Sequence, residues 1–182
     1  ADWLTRGPLR LNPRLPLSAL EHSDFLHNAR VFLAALRDAG PVRATNAGNL
    51  ARAFATELFG AMRWPPGVAE ETRRYNKVLD EDRVFPLHVL RLTLVLAGLV
   101  RRHKGFRVTR RGVELLDDTR SGELYAALFI TFFRALNLAY LDRMPDHPGL
   151  QRTIAFAFLM LGHHAVGWVA PADLASRVWL PG

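Results

Sequence analysis

The chain has 182 residues, of which 49% are hydrophobic and 23% are charged, so it can bury a sizeable core and does not have the composition of a disordered tail. The absence of cysteine excludes disulfide bonds, thiolate zinc sites and thiol nucleophiles. The net charge of +7 favours an acidic partner, but 22 arginines beside 2 lysines are also typical of a GC-rich genome, so the clustering of charge is more informative than its sum.

The first 20 residues have the composition of an extended arm. Pro8, Pro13 and Pro16 are scattered among leucines and arginines in this segment. Each proline fixes its backbone φ angle and removes a hydrogen-bond donor, which disfavours a helix. We therefore expect residues 1–20 to pack on the surface of the domain that follows them.

Apolar residues at helical spacing predict a first helix from Ser23 or Asp24 to about Ala39. A serine or aspartate at this position can accept a free backbone amide of the first helical turn. Gly40 follows the helix at the place where a left-handed residue commonly ends one. Residues 41–44 are then expected to form a short extended piece.

Two more helices are predicted before the chain reaches residue 100. The second covers about 45–62 and the third about 86–97, and the charged residues 68–84 between them combine a short helix with a loop. An acidic run at 80–82 lies just before the third helix, where negative side chains suit the positive end of the helix dipole.

The most informative segment of the chain is a basic hairpin followed by a helix. A basic strand precedes a Lys104-Gly105 turn, a second strand covers 106–109, and a helix runs over about 110–118. The stretch 101–111 contains no acidic residue. It contains six cationic ones: Arg101, Arg102, Lys104, Arg107, Arg110 and Arg111. Since the whole chain carries +7, the remaining residues sum to about neutral.

After residue 118 the chain becomes strongly apolar. Helices over about 123–141 and 150–164 are predicted to form a hairpin, and helices that are apolar on every side are buried in a larger assembly. The most apolar stretch, 124–133, is shorter than the roughly 20 residues that a membrane span needs. With no secretory leader pattern at the start, we expect a cytoplasmic protein without a membrane partner.

The order of elements predicts a mostly α protein, a winged helix-turn-helix with a small β wing and an apolar C-terminal helical hairpin. The expected organisation is an arm over 1–20, a winged-helix domain over 20–118 and a helical region over 119–182. A weak similarity between residues 29–54 and 154–179 offers a second interpretation of the last region, as the opening half of another winged-helix-like unit.

Two runs of residues carry a family resemblance over roughly half of the chain. The first comprises Ala97-Gly98-Leu99-Val100, a basic turn, Val108-Thr109, Gly112 and Leu115-Leu116, and it resembles winged-helix segments of bacterial transcription regulators. The second, Thr45-Asn46-Ala47-Gly48-Asn49-Leu50, resembles winged-helix segments of uncharacterised bacterial proteins, including plasmid open-reading-frame-3-like ones. The resemblance implies a small bacterial domain that binds DNA or another protein, and it implies no catalytic residue.

The basic hairpin predicts contact with DNA. In that interpretation Arg101, Arg102, Lys104 and Arg107 contact phosphates, with Arg110 and Arg111 beside them, and the turn approaches the minor groove. The alternative is that these are solvated edge charges, which keep the strands from pairing with other chains.

The third helix argues against base-specific recognition. A DNA-reading helix offers polar side chains to base edges, but between Leu87 and Leu99 only His88, Arg91 and Thr93 are polar. His88 and Arg91 share one helical face and are the secondary nucleic-acid candidates. We therefore expect attachment to the DNA backbone, without or with only weak sequence preference.

Catalytic, metal and cofactor sites are not indicated by the sequence. No serine lies in a nucleophile-elbow context and no glycine-rich phosphate loop occurs. Two groups of histidines and acids, one around 21–27 and one within 142–164, lack a known metal-ligand spacing. We expect a protein that is not an enzyme and has no metal or cofactor.

Two functions from different classes remain. One is a DNA-binding module that uses the basic hairpin. The other is a protein-interaction or assembly module, in which the winged helix is a scaffold and the apolar helices meet a protein partner or a second copy in a homodimer.

Overall fold

A computed structural model describes residues 9–142, 148–165 and 167–178 of the chain. The first eight residues of the predicted arm lie outside these ranges, as do Asp146 and His147 of the group of histidines and acids within 142–164. The described chain is mostly helical with a small two-stranded antiparallel sheet, as the sequence predicted, and is consistent with a winged helix with a small β wing.

The elements follow one another in an order close to the prediction. They are α1 (Asp24–Ala39), α2 (Arg52–Ala61), α3 (Val68–Tyr75), α4 (Phe85–Leu96), β1 (Val100–Arg102), β2 (Phe106–Val108), α5 (Arg110–Glu114), α6 (Ser121–Ile130), α7 (Ala139–Asp142), α8 (Pro148–Arg152), α9 (Ile154–His164) and α10 (Pro171–Val178). Short 3₁₀ turns lie at Leu17–Ala19 and Asp118–Arg120, and a π turn lies at Thr131–Ala135.

Helix α1 confirms the predicted caps. The Ser23 side chain accepts a hydrogen bond from the Leu26 amide, and Gly40 ends the helix with a φ angle of 70°. The buried face of α1 recurs at helical spacing and consists of Leu26, Ala29, Phe32, Leu33 and Leu36. These side chains belong to one hydrophobic core together with residues of α2, α4, β2 and α6.

The second helix starts later than predicted, because residues 45–50 form a turn instead. The Thr45 amide donates to the Asn49 carbonyl, and the Thr45 hydroxyl accepts from the Asn49 amide. Gly48 adopts a φ angle of 86°, and Ala44 pairs with Leu50 in an isolated bridge. The predicted start at Thr45 or Asn46 is therefore wrong by about two helical turns.

The segment after α1 holds the hairpin against the domain. Val42 and Phe106 exchange two backbone hydrogen bonds, with N–O distances of 3.0 and 2.7 Å. Phe106 is fully buried. The short extended piece predicted at 41–44 therefore pairs with the first residue of β2 and holds the hairpin close to its turn.

A buried carboxylate lies at the centre of the fold. Glu81 is 0% exposed, and its Oε1 atom lies 2.6 Å from both Arg91 Nε and His88 Nδ1. Its Oε2 atom accepts a hydrogen bond from the Leu50 amide at 2.7 Å. The Arg91 guanidinium in turn lies 5.1 Å from the centre of the Phe106 ring. Glu81 thus connects the loop before α4 with α4 itself and the 45–50 turn, and Arg91 extends the connection to β2.

The predicted helix over 123–141 is interrupted. Helix α6 ends at Ile130, a π turn follows, and Leu136 is extended with a ψ angle of 130°. The Leu136 amide bonds to the Thr131 carbonyl, and the Asn137 side chain caps the next turn by accepting from the Ala139 amide. An asparagine at this position favours a new helix start over a continued helix.

Two other predicted helices are also shorter than expected. The helix over 110–118 ends at Glu114, and the helix over 150–164 is divided into α8 and α9 at Thr153. The Thr153 hydroxyl donates to the Gly149 carbonyl, so it is bonded within α8. None of the described residues of α9 is fully buried, so this helix is less covered within the chain than its composition suggested.

Replacing Glu81 with alanine should destabilise the fold strongly. The change leaves the buried Arg91 cation without its carboxylate, and breaking such a pair costs about 3–5 kcal/mol. Urea unfolding of Glu81→Ala and of the exposed control Glu57→Ala measures this cost, and the control should stay within about 0.5 kcal/mol of the parent. Equal unfolding midpoints for the two variants would contradict the central role of Glu81.

Candidate nucleic-acid interface

The hairpin places two arginines directly opposite each other. In the antiparallel register Val100 pairs with Val108, and Arg101 pairs with Arg107. Val100 is buried, whereas both arginines are exposed on the other face. Directly opposite residues lie about 4.5–5.5 Å apart, and like charges in this position destabilise a sheet.

Two further cations complete the basic surface. Lys104 is at the tip of the hairpin, where it adopts a φ angle of 54°, and Arg102 extends over the 45–50 turn. The Arg102 guanidinium carbon lies only 2.9 Å from the position that a Cβ atom on Gly48 would occupy. We call Arg101, Arg102, Lys104 and Arg107 the wing cluster.

No member of the wing cluster forms an ion pair with any residue that the structure describes. All four are exposed. Their charge is therefore screened by solvent and is open to an external anion. This arrangement can bind phosphate or carboxylate groups, because an arginine fork matches both geometries.

Arg110 and Arg111 lie in α5 and differ from the wing cluster. Arg110 Nε is 2.8 Å from Glu114 Oε1, one helical turn ahead, so its charge is shared within the helix. Arg111 Nη1 donates to the carbonyl of Ala97 at the end of α4, at 3.2 Å. The six predicted cations are thus divided into four on the hairpin and two on the following helix.

Sequence reasoning missed one residue of this surface. Arg43 is exposed and follows Val42, and its Cα lies 3.6 Å from the position of a Cβ atom on Gly105. Its backbone therefore lies against the tip of the hairpin. Only the long-range pairing of Val42 with Phe106 brings Arg43 there, and no local pattern marks it.

The secondary candidates His88 and Arg91 point into the protein. Their side chains are 16% and 7% exposed. Arg91 bonds to Glu81, and His88 lies between Glu81 and Tyr140, with its Nε2 atom 3.0 Å from the Tyr140 hydroxyl. The exposed large side chains of α4 are apolar, namely Phe85 and Leu96. Helix α4 therefore presents little hydrogen-bonding capacity to a nucleic-acid groove.

The described residues also bear on metal binding and on membrane insertion. Within residues 9–142, 148–165 and 167–178, no group of three or more histidines, cysteines or acids converges as a metal site would require. Among the helices in these ranges, none is long and apolar enough to cross a membrane.

A family model described as the Y4jL N-terminal domain matches residues 21–121, which is more than half of the chain. The chain belongs to the Y4jL N-terminal domain family. The match supports the prediction of a bacterial-type domain. The Y4jL-family region begins just before α1 and ends at the first residue of α6, so it contains Glu81 and the whole wing cluster. No curated protein and no solved structure matches the chain.

The tip of the hairpin in this Y4jL-family domain depends on Gly105. Its φ angle is 149°, and an added Cβ atom would lie 2.5 Å from the Val42 carbonyl oxygen. We expect Gly105→Ala to lower the free energy of unfolding by about 1–3 kcal/mol. Gly60→Ala is the matched control, because Gly60 is in α2 with open space around it.

The control should stabilise the protein by about 0.5–1 kcal/mol, since alanine is the better helix former. Chemical unfolding of both variants measures the difference. Changes of the same sign in both would contradict the close packing of the hairpin tip on Val42.

Proposed function

We propose that the chain is a non-enzymatic module that binds the backbone of duplex DNA through the wing cluster. The observation that supports this proposal best is the pairing of Arg101 with Arg107 on an exposed face without an acidic partner in the described chain. The mutual repulsion of these two cations is relieved when a polyanion lies across them.

Duplex DNA supplies the matching charge pattern. It carries one negative charge for about every 1.7 Å of helix axis, and cations that neutralise its phosphates release condensed counterions. The wing cluster concentrates four cations on a short hairpin, and Arg43 extends the surface beside the hairpin tip. Several phosphates can therefore be contacted at once.

Binding is proposed to be largely independent of base sequence. Base-specific recognition needs hydrogen-bonding side chains on an element that enters the major groove. The two polar residues of α4 that were candidates for this role, His88 and Arg91, are occupied by Glu81. Contacts to DNA phosphates do not require these two side chains, so the wing cluster can still make them.

The salt dependence of binding tests the proposal. Fluorescence anisotropy with two duplexes of equal length and unrelated sequence should give similar affinities. The logarithm of the binding constant should fall with the logarithm of salt concentration with a slope of about −3.6 if all four cations contact phosphates. Arg101→Gln with Arg107→Gln should reduce the slope by about 1.8.

The control removes the same charge from another surface. Arg73→Gln with Arg74→Gln lowers the net charge by two on α3, outside the hairpin, and should leave the slope almost unchanged. Equal effects of the two double variants would indicate a general charge effect. Absence of duplex binding at low salt would refute the proposal.

A second candidate function is assembly through the C-terminal helices. Helix α9 is strongly apolar but has no fully buried residue in the described chain, and Phe156 is 41% exposed. Large exposed apolar patches commonly mark protein interfaces.

We expect Phe156→Ser to weaken any dimer measured by light scattering, whereas Tyr75→Ser, which changes an exposed aromatic on α3, should not. A monomeric parent protein at about 100 µM would exclude a homodimer of ordinary affinity. It would leave a different protein as the partner to be sought.

A further inference from the structure

A cleft lies on the side of α5 and α6, apart from the hairpin strands. Its walls come from the arm at Pro13 and Arg14, the end of α4 at Ala97, Arg111 of α5, one face of α6 and the start of the π turn. Its volume is about 500 Å³. Pockets for small molecules usually have 300–1,000 Å³, so the cleft is large enough for one.

The shape of the cleft depends on small residues. The arm crosses α6 at Gly122, where an added Cβ atom would lie 2.6 Å from the Pro13 carbonyl oxygen and from the Leu15 amide nitrogen. Further along α6, Ala126 and Ala127 line the cleft and leave the space open. Ile130 adds apolar surface beside them.

The Thr131 side chain adds a hydroxyl group to the wall of the cleft. Thr131 is 9% exposed, and the described chain has no enclosed side-chain nitrogen or oxygen without a hydrogen-bond partner, so this hydroxyl is not an unsatisfied buried group. A threonine hydroxyl can both donate and accept, so it can bond to a polar atom of a molecule in the cleft.

The rim of the cleft carries two arginines without an ion pair in the described chain, Arg14 and Arg111. Arg111 donates to the Ala97 carbonyl, and its charge also acts on the nearby Glu123 carboxylate. The one acid on the rim, Glu123, is already bound by Arg120 through both oxygens, at 3.1 and 2.7 Å. This hydrogen bonding lowers the pKa of Glu123, so the carboxylate is charged and paired at neutral pH.

We propose that this cleft binds a small apolar molecule with one carboxylate. The carboxylate binds the arginines of the rim, the apolar body packs against Ala126, Ala127 and Ile130, and a polar atom reaches the Thr131 hydroxyl. Charge-assisted hydrogen bonds to arginine favour an anion here over a neutral molecule of the same shape. This site is separate from the wing cluster, so it can fail or succeed independently of DNA binding.

Titration calorimetry with 2-naphthaleneacetate and its uncharged amide tests the proposal. The acid should bind with a dissociation constant below about 1 mM and at least tenfold more tightly than the amide. Arg111→Gln should weaken binding of the acid about tenfold and leave binding of the amide unchanged. Arg14→Gln, which removes the cation on the arm, should also weaken binding of the acid. Thr131→Val, which keeps the shape of the side chain, should weaken the acid several-fold.

Arg110→Gln is the matched control, since Arg110 neighbours Arg111 but bonds to Glu114 and does not line the cleft. It should leave the affinity unchanged, and the unfolding midpoint of each variant verifies that it is folded. Equal affinities for acid and amide, no saturable binding of the acid, or an equal loss in Arg110→Gln and Arg111→Gln would each overturn the proposal.

Discussion

The burial of Glu81 is the constraint on which the rest of the domain depends. A carboxylate with no exposed surface is tolerated only if its oxygens are fully bonded, and here they bond Arg91, His88 and the Leu50 amide. The three partners come from α4 and from the turn before α2, so the interaction fixes how these two elements meet. The Arg91 guanidinium then lies on the Phe106 ring, which extends the same network to the hairpin.

This network also determines which surfaces remain available. The polar residues of α4 are bonded inside the protein, so α4 is a core helix that offers few polar side chains at its surface. The hairpin has the opposite character, because Val100 and Phe106 hold it to the core while its cations lie outside. The same fold thus separates a rigid, internally bonded centre from an exposed basic surface.

Local signals allowed much of this fold to be predicted. The cap at Ser23, the left-handed Gly40 and the Lys104-Gly105 turn depend on neighbouring residues only, and the structure has each of them. Features that depend on distant contacts were not predicted. The sequence indicated that the acids at 80–82 suit a helix start, but Glu81 is a core residue because it meets Arg91 and the Leu50 amide. The long helix predicted from Glu123 is interrupted before Asn137, whose side chain caps the next helical turn. The continuous apolar pattern of this segment gave no indication of that cap. Arg43 carries no local signal, since the pairing of Val42 with Phe106 across the domain places it.

Because the arm crosses α6 at Gly122 and lines the cleft, the docking of the arm and the binding of a molecule in the cleft are linked equilibria. The arm forms one wall of the cleft, and its backbone at Pro13 and Leu15 packs directly against the backbone of α6 at Gly122. A molecule that binds only when this wall is in place must, by mass action, stabilise the docked arm by the same free energy that docking contributes to its binding. The order of the N-terminal segment would then report occupancy of the cleft, and slower amide exchange in the arm would be its signature.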